Sequence, residues 1–453
     1  MSMWKSPSKI HTVYSEGPYH GLPTFPDDIK GLTAVVTGGN GISGQAIIRL
    51  LLSRPTRWTR IISLSRKPAP PNTPAASPKV EHISVDLLSG TGSIAAALKE
   101  GDVKNVDYAF YTAYKENSDN GLWSGQKEMW DENGTMLEDF LIALNKVNGA
   151  DEEAKEKEAR LKRVVLQTGC KHYGVQFGKG AGEVREEDGR CEGKEYEGQL
   201  NFYYRQEDIL QSYARKYGFD YSIIRPNNII GTAAGNYMNE AIAIGLYIAV
   251  SKALGGPVLF PGTLEKWFNV EAQSSATLNA YIEEWAALTP ECANEAFNAI
   301  NGDSPTWARI WPELLKYYDN PLPSSPKELY DQQFYSASIP EEWAGEKKES
   351  PMPAPFDRAT HSTSETRISL EKWAKDPKVV DAWYKVRDKH GLDQNVWDGA
   401  SWAFADGVLG MTHNLMISGA KLRRTGFLGQ VDTVENWKQV FQEAGETGLL
   451  PKP

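Results

Sequence analysis

The chain is poor in cysteine. It has three in 453 residues (Cys170, Cys191 and Cys292), an odd number with no C-x-x-C spacing. That excludes a disulfide framework and a cysteine-type zinc site, and it points to a reducing compartment. Histidine is also scarce: seven residues, without H-E-x-x-H or a close ligand spacing, so no metal site is expected. Positive charge is not in excess. Acidic residues number 59 against 49 basic ones, a net charge of −10, which disfavours binding to nucleic acid or to an anionic membrane. Long hydrophobic runs are missing. The longest candidate, Ala241 to Leu254, is broken by Gly245 and Lys252 and falls short of the roughly 18 to 20 residues that span a bilayer. Residues 1–30 are polar, carry Pro7, Pro18, Pro23 and Pro26, and have no apolar core of a signal peptide. The terminal Pro451-Lys452-Pro453 is no lipidation or retrieval signal. A cytoplasmic enzyme is the expectation.

At roughly 150 residues per domain, the length suits two or three domains. Short β-branched or apolar runs recur at Thr33–Thr37, Arg60–Leu64, Val80–Val85, Tyr108–Tyr111, Arg163–Gln167, Tyr221–Ile224 and Asn294–Ile300. Segments of helical composition lie between them at 45–54, 92–99, 123–147 and 203–217. Several strands are continuous apolar runs, as strands buried on both faces of a parallel sheet are. The alternation predicts an α/β fold: a Rossmann-type doubly wound parallel sheet with a smaller, mainly helical substrate or cap domain. The expected division is an irregular N-terminal arm at 1–30, a nucleotide-binding core at 31–235 and 286–303, and a substrate-binding cap region at 236–285 and 304–453. The charged run 151–162 reads as solvated, Gly178 to Gln199 as a surface loop, and Ser350 to Thr366 as a connector.

Gly38-Gly39-Asn40-Gly41-Ile42-Ser43-Gly44 fits G-x-x-G-x-x-G, follows a strand and opens a helix. Glycines let the backbone approach a pyrophosphate, and the helix offers unpaired N–H groups and the positive end of its dipole. A dinucleotide site built on Gly38, Asn40, Gly41, Ile42 and Gly44 is expected. At the end of the second strand an NAD enzyme usually carries Asp or Glu for the ribose 2′-hydroxyl. This chain has Ser65, Arg66 and Lys67 there. Two cations and a hydroxyl suit a 2′-phosphate, so NADPH/NADP+ is the expected cofactor. Asp86 and Leu87, after the third strand, would flank the adenine, unless Asp86 simply caps a turn.

The common Tyr-x-x-x-Lys pair of short-chain dehydrogenases is absent from the helix after the fifth strand: Tyr203 is followed four residues on by Glu207, and Tyr204 by Asp208. Two other stretches stand out, Thr168-Gly-Cys-Lys-His-Tyr173 and Asn201-Phe-Tyr-Tyr-Arg-Gln-Glu-Asp208. They resemble the two signatures, T-G-x-K-H-Y and N-F-Y-Y-x-x-E-D, of the progesterone 5β-reductase/iridoid synthase-like (PRISE) family of atypical short-chain dehydrogenases/reductases. Arg225-Pro226-Asn227-Asn228-Ile229, Phe260-Pro261-Gly262, Asn294 to Asn298, Asn301-Gly302-Asp303 and Gly426 to Gly429 extend the resemblance across most of residues 32–430.

The resemblance implies an NADPH-dependent reductase of activated C=C bonds, enones and enals, with hydride delivered to the β-carbon. It implies Tyr203 as the donor that stabilises the enolate, and Lys171, moved to the loop after the fifth strand, as its support and a ligand of the cofactor ribose. Further cofactor contacts are expected from Thr112, Gln167, Pro226, Asn228 and Ile229, and from Asn236 and Met238 on the nicotinamide side. Cys170, in the variable position of its signature, reads as inert packing. Tyr114 stands where the family tends to have tryptophan. Expected pocket residues are Tyr114, Phe177, Tyr237, Met238, Trp267, Trp402 and Phe404; for Trp267, Trp402 and Phe404, core packing is an equal alternative. The expected partner is a small apolar carbonyl compound. Members of the family are often homodimers, although no residue pattern here fixes that state. Two other functions stay open: a carbonyl reductase or epimerase on the same residues, and a non-catalytic NADP-binding regulator or scaffold.

Overall fold

The computed structural model describes residues 12–116, 126–149, 161–175, 183–192, 194, 199–345, 347–350 and 362–453. Seven parallel strands form the central sheet: β1 (Leu32–Thr37), β2 (Trp58–Ser65), β3 (Val80–Ser84), β4 (Tyr108–Tyr111), β5 (Arg163–Gln167), β6 (Asp220–Pro226) and β7 (Glu295–Ala299). Their spatial order is β7-β6-β5-β4-β1-β2-β3. The chain reverses direction across the sheet between β1 and β4, and in such folds ligands bind outside the C-terminal strand ends at that point.

Successive residues of a strand point to opposite faces, and here both faces are covered. Ala34, Val36, Phe110, Val165 and Ile224 pack against α1 (Ile42–Leu52) through Ile47, Ile48 and Leu51. Their neighbours Val35, Ala109, Tyr111, Val164, Leu166 and Ile223 pack on the other face. There they meet Leu98 of α2 (Thr91–Glu100), Leu137, Phe140 and Leu144 of α3 (Gln126–Val147) and Leu210 of α4 (Phe202–Tyr217). This two-sided burial explains why the strands read as apolar runs rather than alternations.

The third apolar centre is helical. In α5 (Glu240–Leu254), every residue from Ala241 to Val250 is buried. A helix apolar all round is a core helix when it is too short to span a membrane. On the first face, α6 (Ala276–Leu288) sends Leu278, Ile282 and Trp285 toward the sheet. Around α5 stand Trp307 and Trp311 of α7 (Trp307–Tyr317), with Trp373, Trp383 and Trp437 from later in the chain. Among the described residues no helix is long and apolar enough to cross a membrane.

Three segments differ from the sequence reading. The N-terminal segment is not irregular throughout: Val13–Glu16 and Tyr19–Pro23 form an antiparallel pair. Gly17 turns between them at φ +55°, and Tyr19 and His20 pair with Val431 and Gln430. Tyr19 and Leu22 are buried in the first core face. The expected loop 178–199 contains Glu183–Val184, paired with Met416–Ile417. The expected connector after 350 is bracketed by paired strands, Lys347–Ser350 and Ser362–Glu365. In the first two cases the partner strand lies far along the chain, where no local pattern announces it.

Candidate functional site

The glycine loop connects β1 to α1. Gly38 adopts φ +68°, a region where a side chain strains the backbone. A Cβ on Gly39 would stand 2.0 Å from Ser63 Oγ, and one on Gly44 2.3 Å from the Gly38 carbonyl oxygen. The loop therefore passes β2 and folds back on its own helix at distances only glycine permits. α1 starts with no side-chain cap and no acidic residue in its first turn, which leaves its positive end open to an anion. The Ile42 N–H faces Asn236 Oδ1 at 3.4 Å, so a residue from beyond β6 closes over the same helix end. The cradle fits a pyrophosphate.

Ser65 ties this loop to β2, its hydroxyl accepting from the Asn40 N–H at 3.2 Å. The Asn40 side-chain amide donates to the Lys67 and Pro68 carbonyls, each at 3.0 Å. Arg66 and Lys67 are exposed next to it. Asp86 Oδ1 accepts from the Leu88 N–H at 2.9 Å, so its carboxylate caps a turn. The Leu87 side chain is 5% exposed and belongs to the core beneath the sheet.

Lys171 sits in a short 3-10 turn, Cys170–Tyr173, just after β5, and Tyr203 is the second residue of α4. Both are buried. The side chains between them explain the two sequence signatures as one fastening. Asn201 caps α4 by accepting from the Tyr203 N–H at 3.1 Å, and donates to the Lys171 carbonyl at 2.7 Å. Tyr204 Oη donates to the His172 carbonyl at 2.6 Å. Glu207 lies 3.2 Å from His172 Nδ1 and accepts from Arg225 at 3.1 Å. Gly169 leaves room for Tyr203: a Cβ there would lie 3.2 Å from its hydroxyl.

These elements open on one cavity of about 720 Å³. The glycine loop reaches it through Gly38, Gly41 and Ile42, and the strand ends through Thr112, Gln167, Pro226, Asn228 and Ile229. Lys171, Tyr203, Tyr114, Asn236, Met238 and Phe404 also line it. Gln167 Oε1 and Thr168 Oγ1 are buried on this wall without a hydrogen-bond partner, which a polar ligand would supply. Burial raises the Tyr203 pKa, so the hydroxyl keeps its proton. Burial pushes Lys171 down to about 8, with the Glu116 carboxylate acting the other way. Glu116 Oε2 is itself buried and unpartnered. Burial raises the Cys170 thiol pKa, as suits inert packing.

For Trp267 and Trp402 the structure takes the core-packing alternative. Trp267 is 3% exposed and packs 5.1 Å from the Phe260 ring. Trp402 packs 4.9 Å from Trp397, so both serve the helical core. Tyr237 is half-buried and off the cavity lining, and Phe177 lies outside the described residues. The sequence reading missed the stretch after the Trp402–Leu409 helix, where Gly410, Met411, Thr412, His413 and Leu415 line the cavity. It also missed Glu116, and it read Gly39 and Thr168 only as parts of their motifs. The only local signal for the loop was a glycine ending an apolar helix.

Residues 34–327 match the PRISE-like Rossmann-fold domain. An uncharacterized protein of Schizosaccharomyces pombe is 32% identical over 430 residues, covering 93% of this chain and 99% of that one. An (S)-8-oxocitronellyl enol synthase of Camptotheca acuminata is 28% identical over 432 residues, 94% of this chain and 95% of that one. A 3-oxo-Δ4,5-steroid 5β-reductase of Arabidopsis thaliana is 30% identical over 289 residues, 63% of this chain and 69% of that one.

Proposed function

The chain belongs to the PRISE-like Rossmann-fold family, and on that premise we propose that it is an NADPH-dependent reductase of conjugated C=C bonds in enones or enals. The observation that carries this reading is the placement of Tyr203 and Lys171, both buried, on one cavity wall beside the glycine cradle. The names of two relatives support it. One describes a 3-oxo-Δ4,5 steroid, a conjugated enone, and the other an enol product. A hydroxyl that donates to a carbonyl oxygen serves both. The choice of NADPH rests on Ser65, Arg66 and Lys67 at the end of β2, where no carboxylate stands to repel a 2′-phosphate.

NADPH, when bound, supplies a hydride. Tyr203, kept protonated by its burial, donates to the substrate carbonyl oxygen and stabilises the negative charge that develops there. Lys171 adds a positive charge beside it, and Glu116 helps that charge persist near neutral pH. Gln167 and Thr168 would offer the cofactor polar atoms at the strand end, and Asn236, whose Oδ1 accepts from the Ile42 N–H, would stand beside it at the start of α1. The rest of the wall is mixed, with Gln126, Gln199, Gln206, Asn227, Thr412 and His413 among its polar residues, and its apolar side chains, Val175, Met238, Phe404, Val408, Met411 and Leu415, favour an apolar carbonyl compound.

The test is NADPH oxidation against cyclic enones, open-chain enals, an enone steroid and matched saturated ketones, with products identified by mass and NMR. Saturated carbonyl products or enols from the conjugated compounds are expected, with the rate falling about 10²- to 10³-fold in Tyr203→Phe while NADPH still binds. Oxidation with saturated ketones alone would establish a carbonyl reductase instead. Unchanged turnover in Tyr203→Phe would remove that residue from the mechanism.

A further inference from the structure

Arg66 and Lys67 are exposed. A long cation on a loose loop loses much of its affinity for an anion to the cost of being ordered. The segment that carries these two is not loose. The Lys67 carbonyl accepts two hydrogen bonds, one from the Asn40 side-chain amide and one from His82 Nε2, each at 3.0 Å. A carbonyl oxygen only accepts, so the imidazole carries its proton on Nε2. The Pro68 carbonyl accepts from the same Asn40 amide at 3.0 Å. Pro68 also restricts Lys67 directly, because the residue before a proline is held to extended backbone. Ser65, on the other side of the two cations, is fixed twice. Its carbonyl accepts from the Val85 N–H at 2.9 Å, and its hydroxyl from the Asn40 N–H at 3.2 Å.

The two donors to Lys67 are anchored in turn. Gln45 of α1, 4% exposed, donates to the Asn40 carbonyl at 2.8 Å. His82 stands in the middle of β3 and points to the same face as Val80, which packs in the core beside α1. The glycine loop, α1, the end of β2 and β3 therefore meet on the backbone of one residue. The sheet does not require this. β2 and β3 are already joined by the ladder from Ile61–Val80 to Ser65–Ser84. The His82 bond lies past that ladder, on the second residue after β2, and what it fixes is the stretch that carries the two cations.

We infer that His82 and Asn40 are positioning residues for cofactor selection: they fix the Lys67 backbone so that Arg66 and Lys67 offer a preset site to a ribose 2′-phosphate. This rests on the NADPH reading. The bonds reduce the ordering that a phosphate contact would otherwise demand, so they strengthen binding of a 2′-phosphorylated dinucleotide. A dinucleotide without that phosphate gains nothing from His82. Asn40 differs, because its backbone belongs to the glycine loop, and it acts on both phosphate sites.

The experiment reads binding rather than turnover. The full chain is titrated calorimetrically with NADP+ and with NAD+, which differ only by the 2′-phosphate, and the native chain is compared with His82→Leu, His82→Phe, His82→Gln and Asn40→Ser. The native chain should bind NADP+ more tightly. His82→Leu should raise the Kd for NADP+ about fivefold, the value of one hydrogen bond, and leave the Kd for NAD+ unchanged. His82→Phe keeps a ring without the donor and gives the same reading where His82→Leu does not fold. His82→Gln, with an amide that donates to the same carbonyl, should restore most of the NADP+ affinity, and Asn40→Ser should weaken both dinucleotides. An unchanged NADP+ Kd in His82→Leu and His82→Phe, or an equal loss for NAD+, would overturn the inference and leave the NADPH reading standing. Equal affinity of the native chain for NADP+ and NAD+ would overturn the NADPH reading and this inference with it.

Discussion

Replacing Asn201 separates the two halves of the site. Its side chain makes two bonds, accepting from the Tyr203 N–H at 3.1 Å and donating to the Lys171 carbonyl at 2.7 Å. It is 4% exposed, so water does not substitute for either bond. Loss of the helix cap is worth about 1 kcal/mol. The Lys171 carbonyl keeps a second bond from the Gly174 N–H at 3.0 Å. The other loss is therefore that of one hydrogen bond, about 1 kcal/mol, and not that of an orphaned carbonyl. Asn201→Ala should lower stability by about 2 kcal/mol. Asn201→Ser retains a capping hydroxyl but is too short to reach Lys171, and should lower it by about 1 kcal/mol. Both should lower kcat by about 10- to 100-fold, because a shift of about 1 Å in a reacting group is enough for that. Urea denaturation and NADPH-dependent turnover measure the two effects separately. A serine variant with native turnover would refute the argument that Asn201 holds Lys171 against Tyr203.

Three further outcomes are expected. Reversing charge at the end of β2 with Arg66→Glu and Lys67→Glu should raise KM for NADPH at least about tenfold and narrow the preference over NADH; an unchanged cofactor ratio would remove both residues from phosphate binding. With Lys171 depressed to about 8, activity that needs its ammonium should fall as pH rises through about 8. Glu116→Gln removes the carboxylate that favours the charged form and should move that limb to lower pH, read from the pH profile of kcat/KM. Glu283 is buried in α6 with both carboxyl oxygens unpartnered, and its pKa is raised from 4.5 to about 8. Between those values the folded chain binds more protons than the unfolded chain, so its contribution to stability falls by about 1.4 kcal/mol for each pH unit. Glu283→Gln should therefore gain on the native chain in denaturation midpoint as pH rises toward 8, and show no such gain near pH 4.

The glycine loop was legible because its constraints are local. Strand, turn and helix follow one another directly, Gly38 answers to its own φ and Gly44 to the Gly38 carbonyl, and only Gly39 answers to a residue outside the segment, Ser63. The proposed catalytic pair was legible only through resemblance to two family signatures, T-G-x-K-H-Y and N-F-Y-Y-x-x-E-D, whose purpose the sequence does not state. The fold supplies it: Asn201 fastens to the Lys171 carbonyl, Tyr204 to His172, and Glu207 to Arg225. The pocket aromatics were the weakest reading. A tryptophan on an apolar helix looks the same whether its face meets a cavity or another tryptophan. Trp402 meets Trp373 and Trp397, whereas Phe404, two residues on, faces the cavity.

Local periodicity and backbone sterics thus determined the parallel sheet, the dinucleotide cradle and the buried nature of α5, since each depends on residues near one another in the chain. Tertiary structure alone decided which long-range segments complete the site. The pairing of Tyr19 and His20 with residues 430–431, the clamp of residues 414–415 on 270–272, and the approach of Glu240 to Lys266 and Glu271 all join segments separated along the chain. Their physical cause is the packing of the helical core against the sheet. That packing excludes water from side chains that would each be solvated in isolation, so burial itself lowers the pKa of Lys171 and His413 and raises that of Glu240.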